Sequence, residues 1–315
     1  MPQDLHILPR IRDSWSYLYV DHAKIDQDEK AIAIHDVKGK TCVPCAQLHA
    51  LLLGPGTTIT HAAIRVLVDC GCTIIWTGEY GVRCYAQGLG ETRSSQRLIH
   101  QVQLWANPES HLAVVRAMYQ FRFPEPLDTT LTLQQIRGKE GIRVRKAYTK
   151  VSEEYGVPWQ GRNYEREDWK KADPINRALS VANSCLYGVC HAAIVAAGYS
   201  PALGFVHTGK QLSFVYDIGD LYKMEVSVPA AFAAVSQGTE ELERRVRLAC
   251  RDEFHKNKIL ARIVEDIDKL LKAGENEEDS NAYNEDGAKP GELWNPNNEI
   301  THGGVNFADG EEAFS

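Results

Sequence analysis

The sequence has no excess of positive charge. Its 35 Lys and Arg face 42 Asp and Glu, for a formal net charge of −7, which on its own disfavours a nucleic-acid partner. It also lacks an apolar leader: Met1–Arg12 contains charges and prolines but no hydrophobic run, so no secretory signal is expected and the protein is expected to be cytoplasmic. A membrane span is not expected either. The most apolar stretch, Cys185–Val206, is broken by His191 and ends in Gly198, Ser200 and Pro201, which read as a helix stop and turn in a buried core helix. No Gly-rich loop of the P-loop type is present, so no ATP site is expected, and no internal repeat is visible. Disulfides are not expected among the 8 cysteines in a reducing compartment. Cys42 and Cys45 form a C-x-x-C pair, and Cys70 and Cys72 a C-x-C pair. The second spacing fits structural zinc poorly, and both pairs lie in apolar runs where cysteine behaves as a small hydrophobe.

The distribution of charge changes the first of these exclusions. From Glu275 onward there are 11 acidic residues and one lysine, a tail near −10, which leaves residues 1–274 mildly basic. The body of the chain therefore permits a DNA partner. Its length predicts two domains. Residues 1–88 read as a small β-rich domain with one helix. Tyr17 and Tyr19 alternate with Leu18 and Val20, a hairpin turns at Lys38-Gly-Lys40, and Thr60 caps a helix stopped by Gly71. A second hairpin is expected across Gly78–Gly81. Residues 89–273 read as helical: about 92–106, ended by Asn107-Pro108; 110–122; a helix starting near Thr130 or Thr132; one from Asp173 to Gly198; and one helix or a pair over 239–272 capped by Thr239. Residues 274–315 read as an acidic flexible tail with sparse anchors at Leu293, Trp294, Ile300 and Phe307. The fold class expected is therefore α+β.

Several residues stand out chemically. Glu140 lies four after Ile136 and four before Val144, so a helical period puts its carboxylate on an apolar stripe. A buried carboxylate needs a cation, which leaves two readings: an ion pair with a neighbouring Arg or Lys, or a metal ligand. In Gly204-Phe-Val-His207-Thr-Gly-Lys210 and Ser213-Phe-Val-Tyr-Asp217-Ile-Gly-Asp220, a helix over 213–222 would put Asp217 and Asp220 on one face, with His207 folding back nearby. One imidazole among carboxylates suits Mg²⁺ or Mn²⁺ better than zinc. Arg244, Arg247 and Arg251, continued by His255 and Lys258, form a basic line at helical spacing. Such a line suits either a phosphate backbone or a solvated helix face. Tyr187 follows Asn183 by four and shares its helix face.

Four segments occur in a telling order: Gly54-Pro-Gly-Thr-Thr-Ile-Thr-His-Ala-Ala-Ile-Arg65, Gln135-Ile-Arg-Gly-Lys-Glu-Gly141, Ser184-Cys-Leu-Tyr-Gly188, and Gly204 through Asp217. Together they resemble the CRISPR-associated adaptation integrases, most closely the type I-E branch, over about residues 14–273. The resemblance implies a β-rich N-terminal domain and an all-helical catalytic domain. It implies metal ligands at Glu140, His207 and Asp220, with Asp217 helping to hold the ion or orient His207, and Tyr187 as an active-site residue. It implies DNA-contacting roles for Arg65, Arg83, Lys210, Arg244 and Arg247, and a site for the single-stranded 3′ overhang lined by Tyr164 and Trp169. The chain departs from the relatives at Thr58, where they carry Arg, and at His22, where they carry an aromatic.

The activity implied is insertion of protospacer DNA into a CRISPR array, at the junction of leader and repeat, by attack of a 3′-hydroxyl on a phosphodiester with a Mg²⁺ or Mn²⁺ cofactor. The partners implied are a second copy of the chain, a small adaptation protein bridging two dimers, and DNA. The tail is expected to pack against that adaptation protein. Two other readings stay open: a metal-dependent nuclease for branched DNA with no integration role, and a non-catalytic DNA-binding scaffold stapled by zinc at Cys42, Cys45, Cys70 and Cys72.

Overall fold

The computed structural model describes residues 17–45, 48–79, 83–89, 95–162, 173–272, 292–293 and 301–302. The N-terminal region holds two four-stranded sheets around one helix. Strands β2 (Lys24–Asp28), β3 (Ala31–Asp36) and β4 (Gly39–Pro44) form an antiparallel meander, and β6 (Thr58–Ile59) joins β2 in parallel. The other sheet is ordered β1-β5-β7-β8. There β1 (Tyr17–Val20), β5 (Ala50–Leu53) and β7 (Thr73–Thr77) run parallel, and β8 (Cys84–Gly88) pairs antiparallel with β7. Helix α1 (His61–Asp69) starts as expected, with Thr60 Oγ1 accepting from the Ala63 N–H, and Gly71 takes a positive φ just beyond its end.

Parallel strands are normally covered on both faces, and β5, Ala50-Leu-Leu-Leu53, is buried along its whole length. On one face Leu51, Leu53 and Ile74 pack with α1 and with Ile25, Ile32 and Ile34 of the other sheet. On the opposite face Ala50, Leu52 and Ile75 meet Ala192, Val195 and Ala196 of helix α5 (Pro174–Ala197). That contact joins the β region to the helical region.

The helical region comprises α2 (Gln96–Ala106), α3 (Pro108–Phe121), α4 (Leu133–Tyr155), α5 (Pro174–Ala197), α6 (Ser213–Tyr222), α7 (Val228–Ser236), α8 (Leu242–Lys256) and α9 (Ile259–Lys272). Asp173 caps α5, Pro174 occupies its first turn and Gly198 closes it in a left-handed conformation. Helix α5 packs against α6, α7, α8, α9 and the β7–β8 pair. It is long and apolar enough to cross a membrane, but 67% of its most apolar window is buried inside the protein. A helix that is apolar on every side belongs in a core.

Two boundaries differ from expectation. Asn107-Pro108, read as the end of a helix, also starts the next: Asn107 Oδ1 accepts from the Glu109 and Ser110 N–H groups, and Pro108 sits where its missing N–H costs nothing. Thr239 caps no helix, because Gly238 and Glu241 take positive φ and the turn delays the start of α8 to Leu242. The last segment is a pair of helices, broken where Lys258 takes a positive φ. Within the expected tail, Glu292–Leu293 and Thr301–His302 pair as two short antiparallel strands, while Trp294, Ile300 and Phe307 lie outside the described residues.

Alanines at 192 and 196 let the sheet and α5 approach closely. Ala192→Leu adds bulk at a fully buried point of that contact. It is expected to cost about 1–3 kcal/mol, read as a lower denaturation midpoint in urea. An unchanged midpoint would mean that the sheet and helix are not pressed together there.

Candidate functional site

The site is organised around a loop, residues 198–212, that joins α5 to α6. Asp217, one turn into α6, is fully buried. Its Oδ2 accepts from the Phe205 N–H at 2.6 Å and the Val206 N–H at 3.0 Å. Its Oδ1 accepts from the His207 N–H at 2.8 Å and faces His207 Nδ1 at 2.7 Å. These hydrogen bonds fix the backbone and the imidazole together, the last of them joining the His207 ring to Asp217. That bond, the first of several causes, raises the His207 pKa above its ordinary value. Gly204 is obligatory here, because a Cβ would collide with the His207 carbonyl and with Ser213.

The loop is held from outside by α2 and α3. Gln101 donates to the Ser200 and Leu203 carbonyls at 3.1 and 3.0 Å and accepts from the Ser200 N–H at 2.8 Å. Trp105 Nε1 donates to the Gly204 carbonyl at 3.0 Å, and the His111 ring lies between the Trp105 and Phe205 carbonyls. Sequence reasoning missed all three. They lie about a hundred positions from their partners, and nothing local marks them.

Thr132 caps α4 with a reciprocal capping box, and Glu140 projects from α4 toward α3 and α6. Both alternatives for a buried Glu140 bear on the outcome. Arg143, one turn on, donates to it from Nε and Nη2 at 2.8 and 2.9 Å, and Arg122 Nη1 lies 3.5 Å from its Oε1. Of the two readings, the ion pair is the one these contacts show. The same Arg122 atom lies 3.9 Å from Asp220 Oδ2, and Lys223 Nζ contacts Asp220 Oδ1 at 2.5 Å. Burial opposes the charge on Lys223, but Asp220 and Tyr187 outweigh it and its pKa is raised.

Tyr187 connects this cluster to the surface. Its ring lies against the backbone of Gly219, where a Cβ would come within 2.7 Å of Cε1, and Lys223 Nζ sits 5.1 Å from the ring centroid. Tyr216 stands between Tyr187 and His207, at ring separations of 5.0 and 6.0 Å. Burial raises the Tyr187 pKa, so its hydroxyl is protonated. Immediately after this point the helix widens into a π-helical stretch, Lys223–Ser227. Pro229 has no N–H for the ladder, and π-helical turns of this kind are frequent at functional sites.

Arg122 thus joins the Glu140 and Asp220 carboxylates, and Asp220 lies in the electrostatic environment of His207. Among the described residues no group of His, Cys, Asp and Glu is drawn together into a metal cage. The donor chemistry nonetheless fits a hard divalent cation: two carboxylates and an imidazole whose Nδ1 is engaged by Asp217, which would leave Nε2 for a ligand. Of the two roles open to Asp217, its geometry supports orienting His207. Its oxygens are committed to the loop and do not face the cluster.

A groove of about 830 Å³ runs from Tyr187 along α5 to the β7–β8 connection, lined among others by Arg83, Tyr85, Arg162, Asn183, Ser184 and Arg247. Arg162, which sequence reasoning did not single out, is oriented by the Asn176 carbonyl and Ser180 Oγ at 3.2 and 3.3 Å. Arg83 and Arg247 stand at the groove. Arg244 is exposed and paired with Glu241, Arg65 is exposed beside Asp69, and Lys210 is exposed at the loop end. Arg251 pairs with Asp252, so the basic line on α8 is not one continuous face toward the groove. Tyr164 and Trp169 lie outside the described residues. The cysteines divide: Cys42 Sγ contacts Asp28 on an exposed strand, whereas Cys45 and Cys70 face each other at the edge of the β core.

The chain matches the family described as CRISPR associated protein Cas1 over residues 16–125 and 122–245. It is 52% identical over 305 residues to CRISPR-associated endonuclease Cas1 2 of Thermus thermophilus, covering 97% of this chain and 94% of that protein. It is 44% identical over 266 residues to CRISPR-associated endonuclease Cas1 of Escherichia coli, covering 84% of this chain and 87% of that one. A solved TtCas1–DNA complex superposes with a TM-score of 0.79 at 54% identity, covering 84% of this chain and 99% of that chain. With a family match across most of the chain and relatives of this similarity, the protein belongs to the Cas1 family of CRISPR-associated endonucleases.

Proposed function

We propose that this Cas1 protein is a divalent-metal-dependent integrase and endonuclease that inserts protospacer DNA into a CRISPR array. The observation that carries the reading is the approach of Glu140 and Asp220 to one arginine, beside a His207 ring that a buried carboxylate holds and that feels the charge of Asp220, with Tyr187 leading from this cluster to an arginine-lined groove. The DNA complex of the 54% identical neighbour supports a DNA substrate for the groove.

In this reading the 3′-hydroxyl of the incoming strand attacks a phosphodiester at the edge of a repeat. One P–O bond forms, the bond to the old 3′ oxygen breaks, and that strand leaves with a 3′-hydroxyl. One phosphodiester replaces another, so no nucleotide hydrolysis is needed. Mg²⁺ or Mn²⁺, held by Glu140, Asp220 and His207 Nε2, would supply charge stabilisation at the phosphorus and lower the pKa of the attacking hydroxyl. Asp217 holds the Nδ1 proton and thereby presents the lone pair of Nε2. Tyr187 and Lys223 stand beside Asp220 as donors to the phosphate under attack. Arg83, Arg162 and Arg247 neutralise backbone phosphates along the groove. Two strands require two sites, which we assign to dimers of this chain bridged by a small adaptation partner in the cytoplasm.

Glu140→Ala, His207→Ala and Asp220→Ala are each expected to abolish strand transfer into a supercoiled repeat plasmid in Mg²⁺ or Mn²⁺ with the adaptation partner present. Wild-type rates in any one would remove that residue from the ligand set. Cleavage of branched DNA without strand-transfer products in the wild type would favour a nuclease with no integration role.

Arg83→Ala with Arg247→Ala should weaken DNA binding and flatten its salt dependence, each lost phosphate contact reducing the logarithmic slope by about 0.9. An unchanged slope would place both residues away from the backbone.

Asp217→Asn keeps the shape but replaces two acceptor oxygens with one. A merely local effect would lower the melting temperature alone. The reading here also requires weaker Mn²⁺ binding, because His207 loses its orientation, and Mn²⁺ affinity equal to wild type would overturn it.

A further inference from the structure

Arg122 is the C-cap of α3, where a cation is favoured by the helix dipole. Its side chain is only 6% exposed. The guanidinium rests 5.2 Å from the Tyr119 ring centroid, and Nη1 reaches both Glu140 and Asp220, at 3.5 and 3.9 Å. Those two carboxylate oxygens therefore lie no farther apart than the two distances laid end to end. Nε and Nη2 are buried without a hydrogen-bond partner. Buried orphan donors are costly, so this guanidinium is not placed for its own hydrogen bonding. Its position is explained by the charge on either side of it.

The other cations of the cluster differ in kind. Arg143 serves Glu140 from its own helix at i+3, and Lys223 serves Asp220 in the same way. Their side chains are 25% and 23% exposed, and each serves a single carboxylate. Arg122 is closed in by Tyr119 and by the carboxylates of α4 and α6, at 6% exposure. Among the described residues it is the cation that both carboxylates share.

We propose that Arg122 is the resident counter-cation of the Glu140–Asp220 pair: a positioning residue that holds the two carboxylates together when no metal is bound and, because it stays, limits how tightly they hold one. This rests on the reading of Glu140 and Asp220 as metal ligands. Without the arginine, the two carboxylates repel each other in the metal-free protein, while an incoming divalent cation no longer meets a fixed positive charge a few ångström away. Stability without metal and affinity for metal should therefore move in opposite directions. Loss of a packing residue would not produce that signature.

The test uses the full chain, with Mn²⁺ alone as the probe, measured by calorimetric titration and by melting in chelator and in Mn²⁺. Arg122→Gln should melt lower than wild type in chelator, show a larger Mn²⁺-induced rise, and bind Mn²⁺ about 10-fold more tightly, the order expected for one screened unit charge removed. Arg122→Lys, which keeps the charge, should return Mn²⁺ affinity toward wild type. The double variant Arg122→Gln/Asp220→Asn should melt higher in chelator than Arg122→Gln, because the repulsion has been relieved. It also decides the case if the single variant does not fold: a folded double variant supports the charge role, and an unfolded one shows that Arg122 acts through packing. Equal loss of melting temperature with and without Mn²⁺, or unchanged or weaker Mn²⁺ binding in Arg122→Gln, overturns the proposal while leaving the ligand assignment standing. Failure of the wild type to bind Mn²⁺ overturns both.

Discussion

A fully buried carboxylate, Asp217, accepts hydrogen bonds from three consecutive backbone N–H groups and from the ring of His207. The rest of the site depends on this arrangement. An unpaired ionised group in that position would cost several kcal/mol. The converging donors offset that cost, and they do so only if the chain over 205–207 turns back over the first turn of α6. The same turn requires glycine at 204 and places the His207 ring beside Tyr216. Gln101, Trp105 and His111 then hold the loop from outside. The position of the His207 imidazole is thus a property of a hydrogen-bond network that extends from α2 to α6.

Charge balance governs the adjoining half of the site. Glu140 and Asp220 come from different helices, and like charges at this separation would drive those helices apart in a partly buried setting. Arg122, Arg143 and Lys223 prevent this. The cluster therefore carries three cations beside its two carboxylates. Gly219 contributes in a different way: lacking a side chain, it lets the Tyr187 ring lie on the α6 backbone and links the cluster to the groove.

The apolar core supplies the rigidity that such a site needs. Helix α5 is buried on nearly every side, and its alanines seat the parallel strands of the β region. Tyr187 projects from that helix into the groove. The walls of the groove come from both regions, with Arg83 from the strand side and Arg162 and Arg247 from the helical side. Seating of the sheet against α5 is what brings them opposite each other.

Periodicity and capping made most of the elements legible in the sequence: Thr60 and α1, Asp173-Pro174 and Gly198 around α5, Thr132 and α4, and the hairpin turning at Lys38-Gly-Lys40. These signals are local and rest on backbone groups that must find partners within a few residues. The His207–Asp217–Asp220 motif and Glu140 were legible as chemistry, because a carboxylate on an apolar stripe needs a cation wherever it lies. Several features were decided by tertiary structure alone. Asp217 turned to the loop while Asp220 turned to the cluster, although both lie on α6 only three residues apart. Arg247 reached the groove, whereas Arg244 paired with Glu241. Arg122, which reads in sequence as an ordinary arginine ahead of a proline-containing turn, became the cation shared by two helices. Each outcome depends on which side chains meet across long sequence separations, and that is set by how the helices pack.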